Sequence, residues 1–295
     1  MKIAGTYPMV YAFFGGAGAL RRDAVEAQVA AVIASGAEGI AVLGLGSEVS
    51  KLGRAERRTL LDWTVSAAAG RLPVAATISA GNLPDLIEEG REAHDAGAAW
   101  LILQPPRPPA SGADLIAHFG AAADALPCPV AIQNAPEFLG IGLTPQELAA
   151  LHDAHPGVVA VKAECTALAL GELSDALDGR MRILNGRAGL ELTDNYRAGA
   201  HGMIPGVETA DLQVAIAHAM AAGREAEAEE LYRRLLPALA FIMQGIAQFT
   251  TYGKLLAAMR LGIAPCSHRG PGPAATERGR AWTRRFADAL GPLPT

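Results

Sequence analysis

The feature that most constrains the fold is a regular alternation of short apolar runs with amphipathic helical segments such as 21–35 and 85–96. Successive runs start about 28 residues apart, which is the length of one β-α unit. Eight such units at near-even spacing favour a closed barrel over a doubly wound sheet. We therefore predict an α/β fold, a (β/α)8 TIM barrel, with strands at 6–13, 39–44, 73–78, 100–104, 129–133, 158–162, 182–186 and 202–206.

The pattern changes after the eighth predicted strand, where the chain becomes helical and contains no further strand-like run. Residues 211–223 would form the eighth helix of the barrel. We predict two domains, a catalytic (β/α)8 barrel at 1–223 and a C-terminal helical domain at 224–295. The barrel or a partner subunit must cover the apolar face of the second domain, because large exposed apolar patches are rare.

Charge and cysteine content narrow the function classes. The chain has 25 basic and 30 acidic residues, a net charge of -5, and no basic run, so nucleic acid and anionic membranes are not expected partners. Its three cysteines, Cys128, Cys165 and Cys266, are odd in number and far apart, which fits reduced thiols better than disulfides. No uncharged apolar stretch reaches the roughly 20 residues of a membrane span. We expect a cytoplasmic protein.

Lys162 stands at the end of a β-branched run, in the segment VVAVKAEC at 158–165. Burying an unpaired ammonium is unfavourable, so a lysine in a buried strand is ion-paired, reaches out at a strand end, or is a neutral amine that acts as a nucleophile. Side chains alternate along a strand, so Glu164 should face the same side as Lys162. The sequence therefore places a carboxylate beside a candidate nucleophilic lysine.

In a barrel of this type the chemistry lies at the C-terminal ends of the strands. The backbone N–H groups of a glycine-rich turn after strand two can form an anion-binding concavity, and a serine hydroxyl there can add a donor. The candidate residues at these strand ends are Gly44, Leu45, Gly46 and Ser47 after strand two, Thr77 and Ser79 after three, Gln104 after four, Gln133 and Asn134 after five, Lys162 and Glu164 on six, and Asn185 and Arg187 after seven.

The order of these motifs resembles the dihydrodipicolinate synthase and N-acetylneuraminate lyase family of Schiff-base aldolases. The matching segments are GLGSE at 44–48, AIQNAP at 131–136, VVAVKAE at 158–164 and GAHGMIPG at 199–206. The resemblance covers nearly the whole chain. It implies a (β/α)8 barrel with a C-terminal helical domain, a homotetramer, no cofactor, and attack of Lys162 on a pyruvate-like 2-keto acid to form an iminium. It also implies that a main-chain carbonyl near Ile204 lies beside the bound keto acid.

The sequence departs from the family pattern at the acid/base positions. Gln133 stands where the family has its proton-shuttling tyrosine, and an amide exchanges no proton near neutral pH. Leu45 and Gly46 replace two threonines, and Phe138 replaces the arginine that the synthases use for the aldehyde substrate. We therefore predict a divergent lyase that does not make dihydrodipicolinate, with Glu164 as the candidate replacement acid/base.

Each candidate also has a purely structural interpretation. Lys162 and Glu164 can be a buried ion pair, Gln133 and Asn134 can satisfy hydrogen bonds of the barrel mouth, and Arg187 can be solvated instead of clamping a carboxylate. Three function classes stay open. They are a Schiff-base aldolase or dehydratase, a catalytically weakened keto-acid-binding sensor, and a metal-dependent aldolase or isomerase, which the lack of a His/Asp/Glu cluster at any strand end disfavours. We expect no metal, and a homo-oligomer, either a tetramer or a dimer.

Overall fold

Eight parallel strands lie side by side in one sheet, in the order β1-β8-β7-β6-β5-β4-β3-β2. The computed structural model describes residues 3–106, 111–263 and 266–295. Helices connect consecutive strands, which confirms the predicted (β/α)8 TIM barrel with helices following it at the C-terminus. The strands are β1 Gly5–Thr6, β2 Ile40–Val42, β3 Val74–Ile78, β4 Trp100–Leu103, β5 Val130–Asn134, β6 Val158–Ala163, β7 Arg182–Asn185 and β8 Gly202–Met203.

The barrel closes through the segment that follows β1. Met9 bridges Ala41 in β2 and Gly206 beyond β8, and the Val10 N–H donates to the Ala41 carbonyl at 2.9 Å. A strand was predicted over 6–13, whereas regular pairing is confined to Gly5–Thr6. Pro8 has no N–H to donate, so the ladder is interrupted there and resumes only as the bridges of Met9.

The barrel interior is filled by alternate residues of the strands. Ala75, Ile102, Ala131 and Ala160 belong to one buried cluster inside the barrel. The strand pleat places the residues two positions further along on the same inward side. Those residues, at or just beyond the C-terminal ends of β3, β4, β5 and β6, are polar: Thr77, Gln104, Gln133 and Lys162.

The helices cover the outside of the barrel and continue beyond it. The helices are α1 Arg22–Ala34, α2 Arg54–Ala68, α3 Leu83–Asp95, α4 Gly112–Ala125, α5 Pro136–Leu139, α6 Pro145–Ala154, α7 Ala167–Leu177, α8 Leu192–Arg197, α9 Ala210–Ala221, α10 Glu225–Ile242, α11 Ile246–Gln248, α12 Lys254–Arg260 and α13 Glu277–Leu290. One break, at 243–245, separates α10 from α11, and Gly245, with φ 146°, lies in it; a π-helical segment, Phe249–Gly253, joins α11 to α12.

Within the described ranges, no single helix is long and apolar enough to cross a membrane. Only Glu225–Ile242 and Ile246–Arg260, taken together across a bend of 105°, reach the required length and composition.

Arg260 on α12 joins the C-terminal helices to the barrel. Its side chain is fully buried and forms a bidentate ion pair with Asp211 on α9, at 2.7 and 3.0 Å. It also donates to the carbonyl of Glu208, at the end of the barrel, and to that of Gly291, after α13, both at 2.7 Å. One guanidinium therefore satisfies acceptors from three parts of the chain.

Glu208 lies fully buried between β8 and α9. Tyr11 donates its hydroxyl hydrogen bond to Glu208 Oε2 at 2.7 Å, and Oε1 has no partner within the described residues. Burial raises the pKa of the Glu208 carboxyl to about 7 from an ordinary value of 4.5. The folded chain therefore holds this carboxyl in its neutral form well above the pH at which an exposed glutamate ionises.

We expect the pH dependence of stability to report this carboxyl. Below pH 4.5 it is protonated in both folded and unfolded chains, so its contribution to stability is fully present. Between pH 4.5 and 7 the unfolded chain loses this proton while the folded chain keeps it, so the contribution is lost as the pH rises to and past 7, and the free energy of unfolding falls by about 3 kcal/mol in all. Urea unfolding at pH 5 and pH 8 measures this loss. The free energy of unfolding of Glu208→Gln, relative to that of the parent, should be higher at pH 8 than at pH 5 by about that amount. A parent-variant difference that is the same at both pH values would contradict this prediction.

Candidate active site

The polar residues at the C-terminal end of the barrel interior form the candidate site. Gln133 on β5 pairs in register with Lys162 on β6, and both side chains are buried, with 2 and 4% of their surface exposed. Thr77 on β3 and Gln104 beyond β4 are buried in the same layer. The four side chains come from four adjacent strands, so they share one face of the barrel mouth.

Lys162 and Glu164 face each other as the alternation along the strand predicted. Lys162 Nζ donates to Glu164 Oε1 at 2.5 Å, and Glu164 is 7% exposed. The second carboxylate oxygen, Oε2, accepts the backbone N–H of Arg187 at 2.8 Å. Both oxygens of Glu164 are therefore held, which fixes the carboxylate next to the lysine nitrogen.

Gly186 makes room for this carboxylate at the end of β7. A Cβ atom at position 186 would lie 2.2 Å from Glu164 Oε2, closer than any non-bonded contact allows. Gly186 was not among the residues predicted from the sequence. The signal was present, because Gly186 lies two residues after the inward-facing Leu184, but the clash with Glu164 depends on the neighbouring strand.

We expect Gly186→Ala to disturb the site without disturbing the lysine itself. The new methyl group must push the Glu164 carboxylate away and break its hydrogen bond from Arg187 N–H. Displacement of a catalytic group by about 1 Å can lower a rate about 100-fold. With Glu164 as the predicted acid/base and Lys162 as the predicted nucleophile, turnover should fall by about that factor while a covalent adduct on Lys162 still forms. Gly171→Ala on α7 is the control, because a Cβ there meets nothing closer than 3.9 Å. Equal turnover in the two variants would argue against a role for the Glu164 position.

Gln133 and Thr77 supply buried polar groups that lack a partner. Gln104 Nε2 donates to Gln133 Oε1 at 2.8 Å, so the Gln133 amide presents its NH2 group elsewhere. That nitrogen and the hydroxyl of Thr77 have no hydrogen-bond partner within the described residues. Buried polar atoms are nearly always hydrogen-bonded, so two orphaned groups at a barrel mouth mark a place for a polar ligand.

Met9 and Ser47 hold the glycine loop, residues 44–48 after β2, in place. Gly44 approaches the Met9 side chain so closely that a Cβ would lie 2.4 Å from its methyl carbon, and Gly44 N–H points at Met9 Sδ at 3.3 Å. The Ser47 hydroxyl donates to the Val10 carbonyl at 2.5 Å and accepts from Leu43 N–H. The Ser47 hydroxyl thus holds the loop against the backbone, and its role in substrate binding stays a prediction.

Other groups of the loop remain available for an anion. The backbone N–H groups of Leu45 and Gly46 have no hydrogen-bond partner in the part of the chain that the structure describes. Consecutive free N–H groups at such a turn bind carboxylates. The predicted anion-binding concavity therefore consists of backbone groups of residues 45 and 46.

Asn134, Asn185 and Ile204 lie at the edge of the site, where both amides are occupied. Asn134 exchanges two hydrogen bonds with the backbone of Leu143, at 2.7 and 2.9 Å. Asn185 donates to Asn195 Oδ1 at 2.8 Å and to the Cys165 carbonyl at 2.9 Å. Ile204 is buried, and its N–H donates to the Asn185 carbonyl. The two asparagines order the loops after β5 and β7.

Arg187 begins the turn after β7 in the left-handed region, with φ 50°. Its backbone N–H serves Glu164, while its side chain is 17% exposed and pairs with Glu191 at 3.2 Å. The guanidinium Nε has no hydrogen-bond partner within the described ranges, but it lies at an ion-pair distance of 3.8 Å from Glu137 Oε2. Two carboxylates therefore flank the Arg187 guanidinium.

The chain matches a known family over almost its full length. The profile of the Dihydrodipicolinate synthetase family matches residues 2–279. The 4-hydroxy-tetrahydrodipicolinate synthase of Agrobacterium fabrum is 30% identical over 247 residues, which cover 79% of this chain and 80% of the relative. YagE of Escherichia coli, which has a provisional name as a 2-dehydro-3-deoxy-D-gluconate aldolase, is 30% identical over 159 residues, or 54% of this chain and 53% of YagE.

Solved structures show the same fold. The crystal structure of YagE in complex with pyruvate superposes with a TM-score of 0.90 at 25% identity, covering 98% of this chain and 99% of YagE. Dihydrodipicolinate synthase from Acinetobacter baumannii has the same score at 22% identity, with coverage of 98 and 99%. The barrel, the lysine-bearing sixth strand and these matches together lead to one conclusion. The chain belongs to the dihydrodipicolinate synthetase family, a family of lyases.

Proposed function

We propose that this lyase forms a Schiff base between Lys162 and a pyruvate-like 2-keto acid. The observation that carries the proposal is the buried Lys162 amine, 2.5 Å from Glu164 in a barrel mouth that also holds polar groups without partners. The pyruvate in the structure of YagE supports a 2-keto acid as the ligand. The substrate of this chain is thus proposed by its chemical class.

The proposed reaction begins when Lys162 passes a proton to Glu164 and the resulting free amine attacks the carbonyl carbon C2. The carbinolamine then loses its hydroxyl as water, for which Glu164 supplies a proton, and an iminium forms. The iminium accepts the electron pair released when a C3–H or C3–C4 bond breaks, which gives an enamine. The Glu164 carboxylate takes the proton from C3 or, when C3–C4 breaks, from the C4 hydroxyl, and C4 then leaves as the carbonyl of an aldehyde. Aldol cleavage or condensation and dehydration all pass through this enamine. Glu164 is the proposed acid/base because it is within hydrogen-bond reach of the lysine nitrogen.

The keto-acid carboxylate requires several hydrogen-bond donors. The proposed donors are the backbone N–H groups of Leu45 and Gly46, the hydroxyl of Thr77 and the NH2 group of Gln133. In this arrangement Gln133 binds and orients the substrate but moves no proton, since an amide does not titrate near neutral pH. Dihydrodipicolinate synthesis is not proposed, because Gln133, Leu45, Gly46 and Phe138 replace the groups that the family pattern uses for it.

A keto-acid-binding sensor is the second candidate function. The short Lys162–Glu164 contact favours it, because a buried lysine that stays ion-paired is no nucleophile.

The division at residue 223, the homo-oligomer and the cytoplasmic location remain predictions.

Borohydride reduction tests the proposal directly. The protein is incubated with pyruvate and with longer 2-keto acids, reduced, digested and analysed by mass spectrometry. The chain has only four lysines, Lys2, Lys51, Lys162 and Lys254, so a peptide mass assigns the adduct. An adduct at Lys162 supports the lyase, and turnover of the trapped keto acid separates the lyase from the sensor. No adduct with any keto acid would refute the proposal.

A further inference from the structure

A cavity of about 850 Å³ lies between the catalytic end of the barrel and the C-terminal helices. Leu45 and Gln104 form part of its wall on the barrel side, and residues of α12 and α13 form part of the opposite wall. Lys162 and Glu164 are not among the residues that line it. The cavity is thus a neighbour of the proposed lysine site and has the size of a site for a small organic molecule.

The charge of the cavity is opposite to that of the chain. Four cationic side chains, Lys51, Lys254, Arg280 and Arg284, line it, together with one carboxylate, that of Glu48. The chain as a whole has a net charge of -5. A concave site lined mainly by one sign of charge concentrates ligands of the opposite sign.

Glu48, the single carboxylate of the cavity wall, forms ion pairs with both lysines. Glu48 Oε1 accepts from Lys51 Nζ at 2.5 Å, and Glu48 Oε2 accepts from Lys254 Nζ at 2.6 Å. Arg280 and Arg284 lie one turn apart on α13, and neither forms an ion pair with any described residue. Two arginines on one helix face are therefore left with free donors toward the cavity.

The remaining wall is largely apolar. Ile246, Leu255, Met259 and Ile263 belong to it. A hydrated inorganic ion makes no use of such a surface, whereas a carbon skeleton buries apolar area against it. Guanidinium groups match carboxylate and phosphate oxygens in bidentate geometry.

We propose that this cavity binds a dianionic organic molecule, with the charged groups held by Arg280 and Arg284 and the carbon skeleton against the apolar wall. The binding does not involve Lys162. The ligand contacts Leu45 of the glycine loop and Gln104, which donates to Gln133, so it lies directly against the groups that face the proposed keto acid.

Calorimetric titration at low salt tests the site. The ligands are two dicarboxylates (succinate and adipate), a phosphate ester (phenyl phosphate), a monoanion (acetate) and an uncharged analogue (adipamide). At least one dianion should bind, acetate and adipamide should bind at least about tenfold more weakly, and added salt should weaken the dianion. The dicarboxylate and phosphate arms identify which charged group the site prefers. Binding of every dianion weaker than about 10 mM, or adipamide equal to adipate, overturns the proposal.

Two charge-matched double variants locate the site. Arg280→Gln with Arg284→Gln should raise the Kd of the dianion at least about tenfold, whereas Arg278→Gln with Arg285→Gln, on the same helix but outside the cavity lining, should leave it unchanged. All four arginines are exposed, so the substitutions leave the core intact. Lys162→Arg should bind the dianion like the parent, so this result is independent of imine formation. A dianion that loses affinity in Lys162→Arg but not in the Arg280/Arg284 variant binds at the lysine and refutes the proposal.

Discussion

Lys162→Arg is expected to abolish the borohydride adduct and to lower turnover at least about 10⁴-fold, because the nucleophile itself is removed. A guanidinium stays protonated and forms no imine, but it keeps a positive charge beside Glu164. Lys162→Ala would instead leave the buried Glu164 without its counter-charge, at a cost of about 3–5 kcal/mol. Arginine is therefore the substitution in which loss of function is not explained by unfolding.

The measurement combines trapping, peptide mapping and turnover of the keto acid identified by the trap. Thermal unfolding of Lys162→Arg should show a folded protein. An adduct that persists in this variant, on Lys51 or Lys254, would mean that another amine reacts and that Lys162 is a structural ion-pair partner.

Glu164→Gln is expected to leave the adduct in place while turnover falls by about 10²–10⁴-fold, the usual contribution of one general acid/base. The amide has the size of the carboxylate and keeps an acceptor oxygen for the Arg187 N–H, but it carries no proton that titrates. The iminium can therefore form slowly under long incubation, whereas each catalytic cycle lacks its proton carrier. Single-turnover trapping and steady-state kinetics on the same sample distinguish the two steps.

Gln133→Ala is the companion variant. It removes an amide that the structure leaves with a free NH2 group, so it should mainly raise KM, by about fivefold for one lost hydrogen bond. If Glu164→Gln turns over like the parent while Gln133→Ala is inactive, the roles assigned to these two residues are reversed.

Apolar periodicity was enough to predict most of the barrel. The predicted run 73–78 became Val74–Ile78 and the run 158–162 became Val158–Ala163, because buried parallel strands consist of continuous apolar residues. The first strand was predicted too long, since the apolar residues after Pro8 lie in the barrel without a regular ladder. Burial can be predicted from such a run, whereas the hydrogen-bond pattern depends on the neighbours.

The positions of site residues could be predicted from the sequence where the residues are neighbours along one strand. The two-residue spacing of Lys162 and Glu164 was sufficient to place them together. The role of Ser47 was not predictable, because its hydroxyl bonds to Val10, 37 residues earlier. The need for glycine at 186 likewise arises from the Glu164 side chain on another strand. Contacts between strands distant in sequence leave no local pattern.

The buried Arg260 limits how this protein can evolve by recombination. Its guanidinium has five donors, and its acceptors come from the barrel end, from α9 and from the residue after α13. A crossover that exchanged the C-terminal helices for those of a relative would bury a charge without its acceptors, or leave those acceptors without a donor. The C-terminal helices of this chain are therefore not an interchangeable module, and they are expected to be inherited together with the end of the barrel.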